Sequence, residues 1–299
     1  MTLLRFGPRE LHTTDRPSST AQWTTFGRTL ELGRPEDERI VSDAYAPVFL
    51  SGTSRRLMAP LRLAEPLVRV AERSTFSALA TSGLCRHAFI DEQLLEALPE
   101  VEQVMILGAG YDSRAYRFRR SIGQRPVYEV DLAPLSRRKA QIVAAHEDLF
   151  GRARIQRVEI DFRTQSLRDQ LTGSGFRIGA PTFVVWEGVS MYLTPAAVDG
   201  TLQALASVCG SGSVLALDFW QRVAGRAAYD QVRRVGERAM RVIGEPIGFS
   251  IDATHAPGLL AGFGFEVVDL AVATDMTRRF ATAGRHCDAG MYVAAARLA

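Results

Sequence analysis

From residue 103 onward, short apolar runs alternate with stretches whose apolar positions recur every three or four residues. The runs Gln103–Leu107, Pro126–Val130, Arg154–Ile160, Thr182–Trp186 and Ser213–Leu217 read as buried strands. Helical spacing falls between them, near 112–121, 132–148, 163–171 and 195–208. Strands separated by helices predict βαβ units, and hence a parallel sheet covered on both faces. After Asp218 comes a polar, arginine-rich helical stretch, 222–243, followed by GEPIGFSID at 244–252. A helix near 254–262 and strands at Phe265–Leu270 and Met291–Arg297 close the chain. Only about 20 residues with a weak helical pattern join these two strands, which predicts an antiparallel final strand.

Before residue 100 the spacing is helical throughout. Leu61, Leu63, Leu67, Val70, Ala71 and Leu79 form one apolar stripe, interrupted by Pro60 and Pro66. An amphipathic segment runs from Arg86 to Leu98 and stops at Pro99. The opening MTLLRFGPRELHTTDRP is charged and lacks the apolar centre of a secretory signal. The organisation expected is a flexible arm over 1–19, a helical cap over 20–100 and one α/β domain over 101–299. That domain carries a helical insertion at about 220–250, after the fifth strand.

Composition narrows the class. Of 299 residues 46% are hydrophobic, enough for a sizeable core. No stretch approaches the roughly 20 apolar residues that span a bilayer. The net charge of +3 gives no reason to expect a nucleic-acid partner. Arginine is plentiful while Lys139 is the only lysine. The pairs Arg119-Arg120, Arg137-Arg138, Arg233-Arg234 and Arg278-Arg279 are scattered, without interleaved aromatics, and read as solvated surface. Cys85, Cys209 and Cys287 lie far apart, which fits neither a disulfide framework nor a zinc site. No metal is expected, and the cytoplasm is the expected location.

The chemistry is concentrated where the first strand ends. Val104–Leu107 runs into Gly108-Ala109-Gly110, and Asp112 opens the next helix. Glycines there remove the Cβ atoms that would hold a nucleotide off the backbone. The second strand ends in Asp131, 21 residues beyond Gly110, the spacing of an acid that binds ribose hydroxyls. A dinucleotide fingerprint needs a third glycine where Ser113 stands, and Asp112 would repel a pyrophosphate at the helix N-terminus. S-adenosylmethionine has a ribose and an adenine but no phosphate, and fits this shorter loop better than a nicotinamide or flavin cofactor does.

With these residues in view, the chain resembles the leucine carboxyl methyltransferase family over residues 20 to 297. That family includes bacterial polyketide carboxyl O-methyltransferases. The stretch ILGAGYDSRAYRF at 106–118 is similar to the family's ILGAGLDSRAYRL, and YEVDLAPLSRRK at 128–139 to its EVD-x-P-x-x-x-x-K segment. Arg86-His87-Ala88-Phe89-Ile90-Asp91 resembles the element whose arginine holds the methionine carboxylate, a contact suited to a guanidinium. Asp161-Phe162-Arg163 is similar to the D-L/F-R element, which implies Asp161 at the adenine amino group and Phe162 against the ring. Glu187-Gly188-Val189-Ser190-Met191-Tyr192-Leu193 resembles EGV-x-x-YL at the floor of the cleft, and Gly244-Glu245-Pro246 the turn after the insertion. Thr29 and Tyr111 depart from the alanine and leucine common in bacterial members.

The resemblance implies a Rossmann-like class I methyltransferase fold, with a seven-stranded, mostly parallel sheet. It implies S-adenosylmethionine at Arg86, Gly108, Ala109, Gly110, Asp131, Asp161, Phe162 and Glu187. Tyr192 and His255 are the candidate catalytic residues, and Arg222 or Arg226 could position an acidic substrate. The expected reaction is O-methylation of a small acidic or phenolic molecule by a cytoplasmic enzyme, and a homodimer is compatible with the sequence. A carboxylate is ionised at neutral pH and needs no general base, whereas a phenol needs one. No His–Asp pair is evident, which favours the carboxylate. A nicotinamide-dependent oxidoreductase and a non-catalytic binding protein are the alternatives.

Overall fold

The computed structural model describes residues 19–52, 54, 56, 75–161, 164–223 and 247–299. The arm before residue 19, the apolar stripe over 61–71, Phe162, and most of the insertion, including Arg226 and Gly244-Glu245-Pro246, lie outside the described residues.

Seven strands form one sheet in the order β3-β2-β1-β4-β5-β7-β6. They are β1 Gln103–Leu107, β2 Val127–Asp131, β3 Ile155–Glu159, β4 Thr182–Trp186, β5 Val214–Trp220, β6 Phe265–Ala271 and β7 Met291–Leu298. β1 pairs in parallel with β2 and β4, β2 with β3, and β4 with β5. β7 runs antiparallel to both β5 and β6, as the sequence predicts. The central strands β1, β4 and β5 read as near-continuous apolar runs because both of their faces are covered. Met105, Leu107, Val184, Trp186, Leu215 and Leu217 point into one core layer. Val104, Ile106, Phe183, Val185 and Ala216 point into the other.

Helices α1 Ser19–Glu31, α2 Ala46–Phe49 and α3 Thr75–Ala97 come before the sheet. The cap and the sheet are continuous at α3, which packs across β4, β5 and β7. Its Cys85, Phe89, Ile90 and Leu94 join the same core as Val185, Ala216 and Val293. The helix expected at 112–121 is divided at Phe118 into α4 Arg114–Arg117 and α5 Arg119–Ile122. The one at 132–148 is divided into α6 Ala133–Ala144 and α7 Glu147–Phe150, which stops at Gly151 with φ +59°.

Caps set the next boundaries. Ser166 Oγ accepts from Asp169 N to start α8 Leu167–Gly173, and Thr194 Oγ1 accepts from Ala197 N to start α9 Pro195–Val208. Pro195 at the first turn of α9 costs no hydrogen bond there. After α10 Ala256–Ala261, the expected loop between β6 and β7 contains α11 Ala273–Phe280. Its signal is weak because few of its positions are buried, Ala273 and Met276, while its last turn is Arg278 and Arg279. Among the described residues no helix is long and apolar enough to cross a membrane.

Candidate active site

Strand order reverses between β1 and its neighbours β2 and β4, and in open α/β sheets ligands bind beyond the carboxyl ends at that point. The loop after β1 is held there by Gly108 N and Ala109 N, which donate to Val130 O at 2.9 and 3.2 Å. Gly108 has φ +69°, and a Cβ added to it would lie 2.7 Å from Val189 Cγ2. Glycine is therefore needed both for the turn and for the contact with the loop after β4. Asp131, at the end of β2, accepts from Gly110 N at 2.6 Å and from Leu132 N at 2.7 Å. Burial raises its pKa against those two bonds. Ile160 N donates to Asp131 O at 3.0 Å, which sets Asp161 beside Asp131 along the same rim.

Beneath this rim lies a lattice of buried charge. Arg86 on α3 donates through Nε to Glu187 Oε1 and through Nη1 to Asp218 Oδ2, both at 3.0 Å. Arg114 on α4 is fully buried and reaches Asp91 Oδ1 at 2.7 Å, Glu187 Oε2 at 2.7 Å and Asp112. Arg117, one turn on, holds both oxygens of Asp91, at 2.7 and 2.8 Å. Asp112 also accepts from Arg114 N at 2.7 Å, so a carboxylate already occupies the start of α4. Burial is the largest single effect and pushes Asp112 up, but Arg114 together with further positive groups such as Lys139 brings its pKa down to about 2. Burial pushes Glu187 up, but the hydrogen bond from the His87 ring and the charges of Arg114 and Arg86 together hold it well below the usual carboxylate range. Asp218 is raised by burial despite Arg86, and it also accepts from Gly188 N at 2.6 Å.

The amino-terminal helix is locked onto this lattice. Arg28 donates to Asp43 Oδ2 at 2.7 Å and to Tyr111 O at 2.9 Å, and Ser113 Oγ donates to the same oxygen of Asp43 at 2.7 Å. Ala21 Cβ lies 3.6 Å from where a Cβ on Gly110 would stand, so α1 covers the glycine loop. Tyr111, the departure from leucine, is buried and stacks on Phe49 of α2 with centroids 5.2 Å apart.

His87 sits at the centre of the lattice. Its Nδ1 lies 2.9 Å from Arg114 Nη2 and 3.0 Å from Glu187 Oε2, and its Nε2 lies 2.8 Å from Arg117 Nη2. A second ring proton would point at a guanidinium. Burial and the Arg114 charge accordingly lower its pKa from 6.5. The unfolded chain then binds more protons than the folded one as pH falls. Stability contributed by His87 is complete above about 6.5 and is lost as pH falls from there towards the folded pKa. The urea midpoint is expected to drop between about pH 7 and pH 5. His87→Asn should flatten that limb, and an unchanged pH dependence in the variant would exclude His87 as its source.

The structure thus brings Arg86, Gly108, Ala109, Gly110, Asp131, Asp161 and Glu187 to one end of the sheet. Tyr192 follows in the short 3-10 helix Ser190–Tyr192 directly after Glu187 and Gly188. His255 is exposed at the start of α10, which packs on the edge strand β6, away from the ion lattice. Arg222 is exposed just after β5. Sequence reading did not single out Asp218, Arg114 or Arg117 for the site. The signals were Asp218 near the end of its strand, as Asp131 and Glu187 are, and two arginines three residues apart on one helical face.

Fold and sequence point to one class of relatives, proteins named as S-adenosylmethionine-dependent methyltransferases. Residues 21–206 match the leucine carboxyl methyltransferase family, and the chain belongs to it. A Parafrankia sp. protein named "Putative S-adenosyl-L-methionine-dependent methyltransferase" is 32% identical over 67% of this chain. The aligned stretch spans 62% of that relative's length. A protein of the same name from Mycobacterium ulcerans is 30% identical over 73% of this chain and 71% of its own. Two crystal structures share the fold. A Streptomyces avermitilis protein has TM-score 0.59 at 16% identity, covering 95% of this chain and 98% of its own. A Thermobifida fusca protein has TM-score 0.58 at 13% identity, with 96% of each chain covered.

Proposed function

We infer that this chain transfers a methyl group from S-adenosylmethionine to an oxygen of a small acidic molecule, with a carboxylate as the acceptor. The observation that carries the cofactor choice is Asp112, brought down to about 2 chiefly by Arg114 and bonded to the first backbone N–H of α4. The position where a dinucleotide's pyrophosphate would sit is filled by a protein carboxylate. Asp131 and the bare backbone of Gly108 and Gly110 fit a ribose instead.

S-adenosylmethionine, when bound, supplies a methyl group on a sulfonium that is already a good leaving group. The residues then have to bind, orient and exclude water. Asp131 would hold the ribose hydroxyls and Asp161 the adenine amino group. Arg86 is engaged by Glu187 and Asp218, and its Nη2 lies 3.4 Å from where a Cβ on Gly188 would stand. Through that nitrogen it would meet the methionine carboxylate. Glu187 fixes Arg86, while Tyr192 would wall the acceptor side.

What supports a carboxylate acceptor is the lack of a poised base among the described residues of this lattice. His87 is kept neutral between guanidinium groups, and Glu187 is held well below the usual range as an ion-pair partner. A carboxylate is ionised at neutral pH and can attack without help, whereas a phenol requires a base tuned towards the working pH. The test is methylation of a panel of aryl carboxylates and phenols with S-adenosylmethionine, read by mass spectrometry. A product heavier by one methylene that is lost in mild base is expected. A base-stable product would overturn the carboxylate, and calorimetry showing no S-adenosylmethionine binding would overturn the whole reading.

A further inference from the structure

At the opposite end of the sheet, where β2 and β3 begin, the surface holds a concavity of about 330 Å³. It is lined by Ala115, Ile122 and Val127 below and by Arg119, Arg125, Arg152 and Arg154 around them, with no acidic residue in the lining. Val127 is the first residue of β2 and Arg154 directly precedes β3, so the cleft described above opens from the other end.

Several exposed arginines elsewhere on this surface meet carboxylates, although Arg168 bonds only the carbonyl of Ser207 among the described residues, at 2.8 Å. Arg137 meets Glu159 at 2.8 Å, Arg177 meets Glu102 at 2.5 Å, Arg278 meets Asp275 at 2.8 Å and Arg297 meets Glu100 at 2.6 Å. Around the concavity the pattern changes. Arg119 Nη1 donates to Phe150 O at 3.0 Å, Arg125 Nε to Val101 O at 2.8 Å and Arg154 Nη1 to Gln124 O at 3.1 Å. These bonds fix the arginine stems but occupy a minority of the five N–H groups that each guanidinium carries. Arg152 has neither a hydrogen bond nor an ion pair among the described residues. Gly151, with φ +59°, has no Cβ to displace the Arg119 guanidinium lying against it. Gathering four like charges costs energy unless something neutralises them.

The geometry points to a binding site for a small organic phosphate at this end of the sheet. The arginines take the phosphate oxygens by charge-assisted hydrogen bonds, and the Ala115–Ile122–Val127 floor takes the apolar body. The volume suits a single small molecule rather than a polymer, and the guanidinium fork matches phosphate better than a point charge would. The site lies outside the cofactor cleft, so its occupancy and the methyl-transfer reading stand or fall separately.

The test is calorimetry of the intact chain with phenyl phosphate, in the presence of saturating S-adenosylhomocysteine to block the cleft. Saturable binding is expected, weakened by about tenfold or more in Arg152→Ala/Arg154→Ala, whose removal takes charged hydrogen-bond donors. Phenol should not bind, and inorganic phosphate should bind more weakly than phenyl phosphate. S-adenosylmethionine affinity should be the same in wild type and variant, because both arginines are exposed and remote from the cleft. No saturable binding of phenyl phosphate, or equal binding by the double variant, would overturn the site. Inorganic phosphate binding as tightly as phenyl phosphate would overturn the organic ligand.

Discussion

Replacing Arg114 by leucine is expected to destabilise the protein by about 3–5 kcal/mol, the cost of removing one partner from a buried ion pair. The side chain is fully buried and joins Asp91, Asp112 and Glu187. Its loss leaves carboxylates without a counter-charge in a site closed to water. Arg86 and Arg117 still hold parts of Glu187 and Asp91, but Asp112 keeps no other cation at contact distance among the described residues. The urea midpoint at neutral pH measures the effect. A shift of the size seen for an ordinary surface substitution, under about 0.5 kcal/mol, would refute the account. Arg114→Lys should recover only part of the loss. A single ammonium cannot reach three carboxylates that a planar fork spans. The variants should also differ least at low pH. Asp112, Asp91 and Glu187 have lowered folded pKa values, so their pairing contributes stability above the unfolded carboxylate range and loses it as pH falls through the folded values.

The same lattice marks where sequence reading reaches its limit. Gly108, Gly110 and Asp131 were legible because each follows directly on an apolar strand, and a strand's end is a local signal. Glu187 was legible only through the resemblance of its segment, 187–193, to the family's EGV-x-x-YL. Arg114 and Arg117 were not. Asp112 lies two residues before Arg114, but the other acids that bury the pair, Asp91 and Glu187, come from a distant helix and a distant strand end, so the spacing of the two arginines alone does not show that they are buried. In composition they look like two more arginines in a chain rich in them. Arg86 shows the intermediate case. Its place beside the cleft was readable from the motif, yet its bonds to Glu187 and Asp218 join it to the lattice as well. His255 follows the GEPIGFSID segment in sequence, which suggested the substrate side, but the chain turns at Asp252–Ala256 onto the face of β6.

Asp131→Ala is expected to weaken S-adenosylmethionine binding by about 10- to 100-fold, the range for losing a hydrogen-bonding partner that carries charge. Two effects act together. The carboxylate that would take the ribose hydroxyls disappears, and Gly110 N and Leu132 N lose the acceptors that shape the loop. Asp131→Asn separates them. Its amide oxygen can still accept from one backbone N–H, so the loop is partly kept while the charge is lost, and an intermediate affinity should follow. S-adenosylhomocysteine should weaken by the same factor as S-adenosylmethionine in both variants, because the two ligands differ at sulfur and share the ribose. A loss confined to S-adenosylmethionine would move Asp131 from the ribose to the sulfonium end of the cleft. Equal affinities in wild type and Asp131→Ala would remove the residue from the site altogether, and with it the reading of β2 as the strand that delivers the ribose acid.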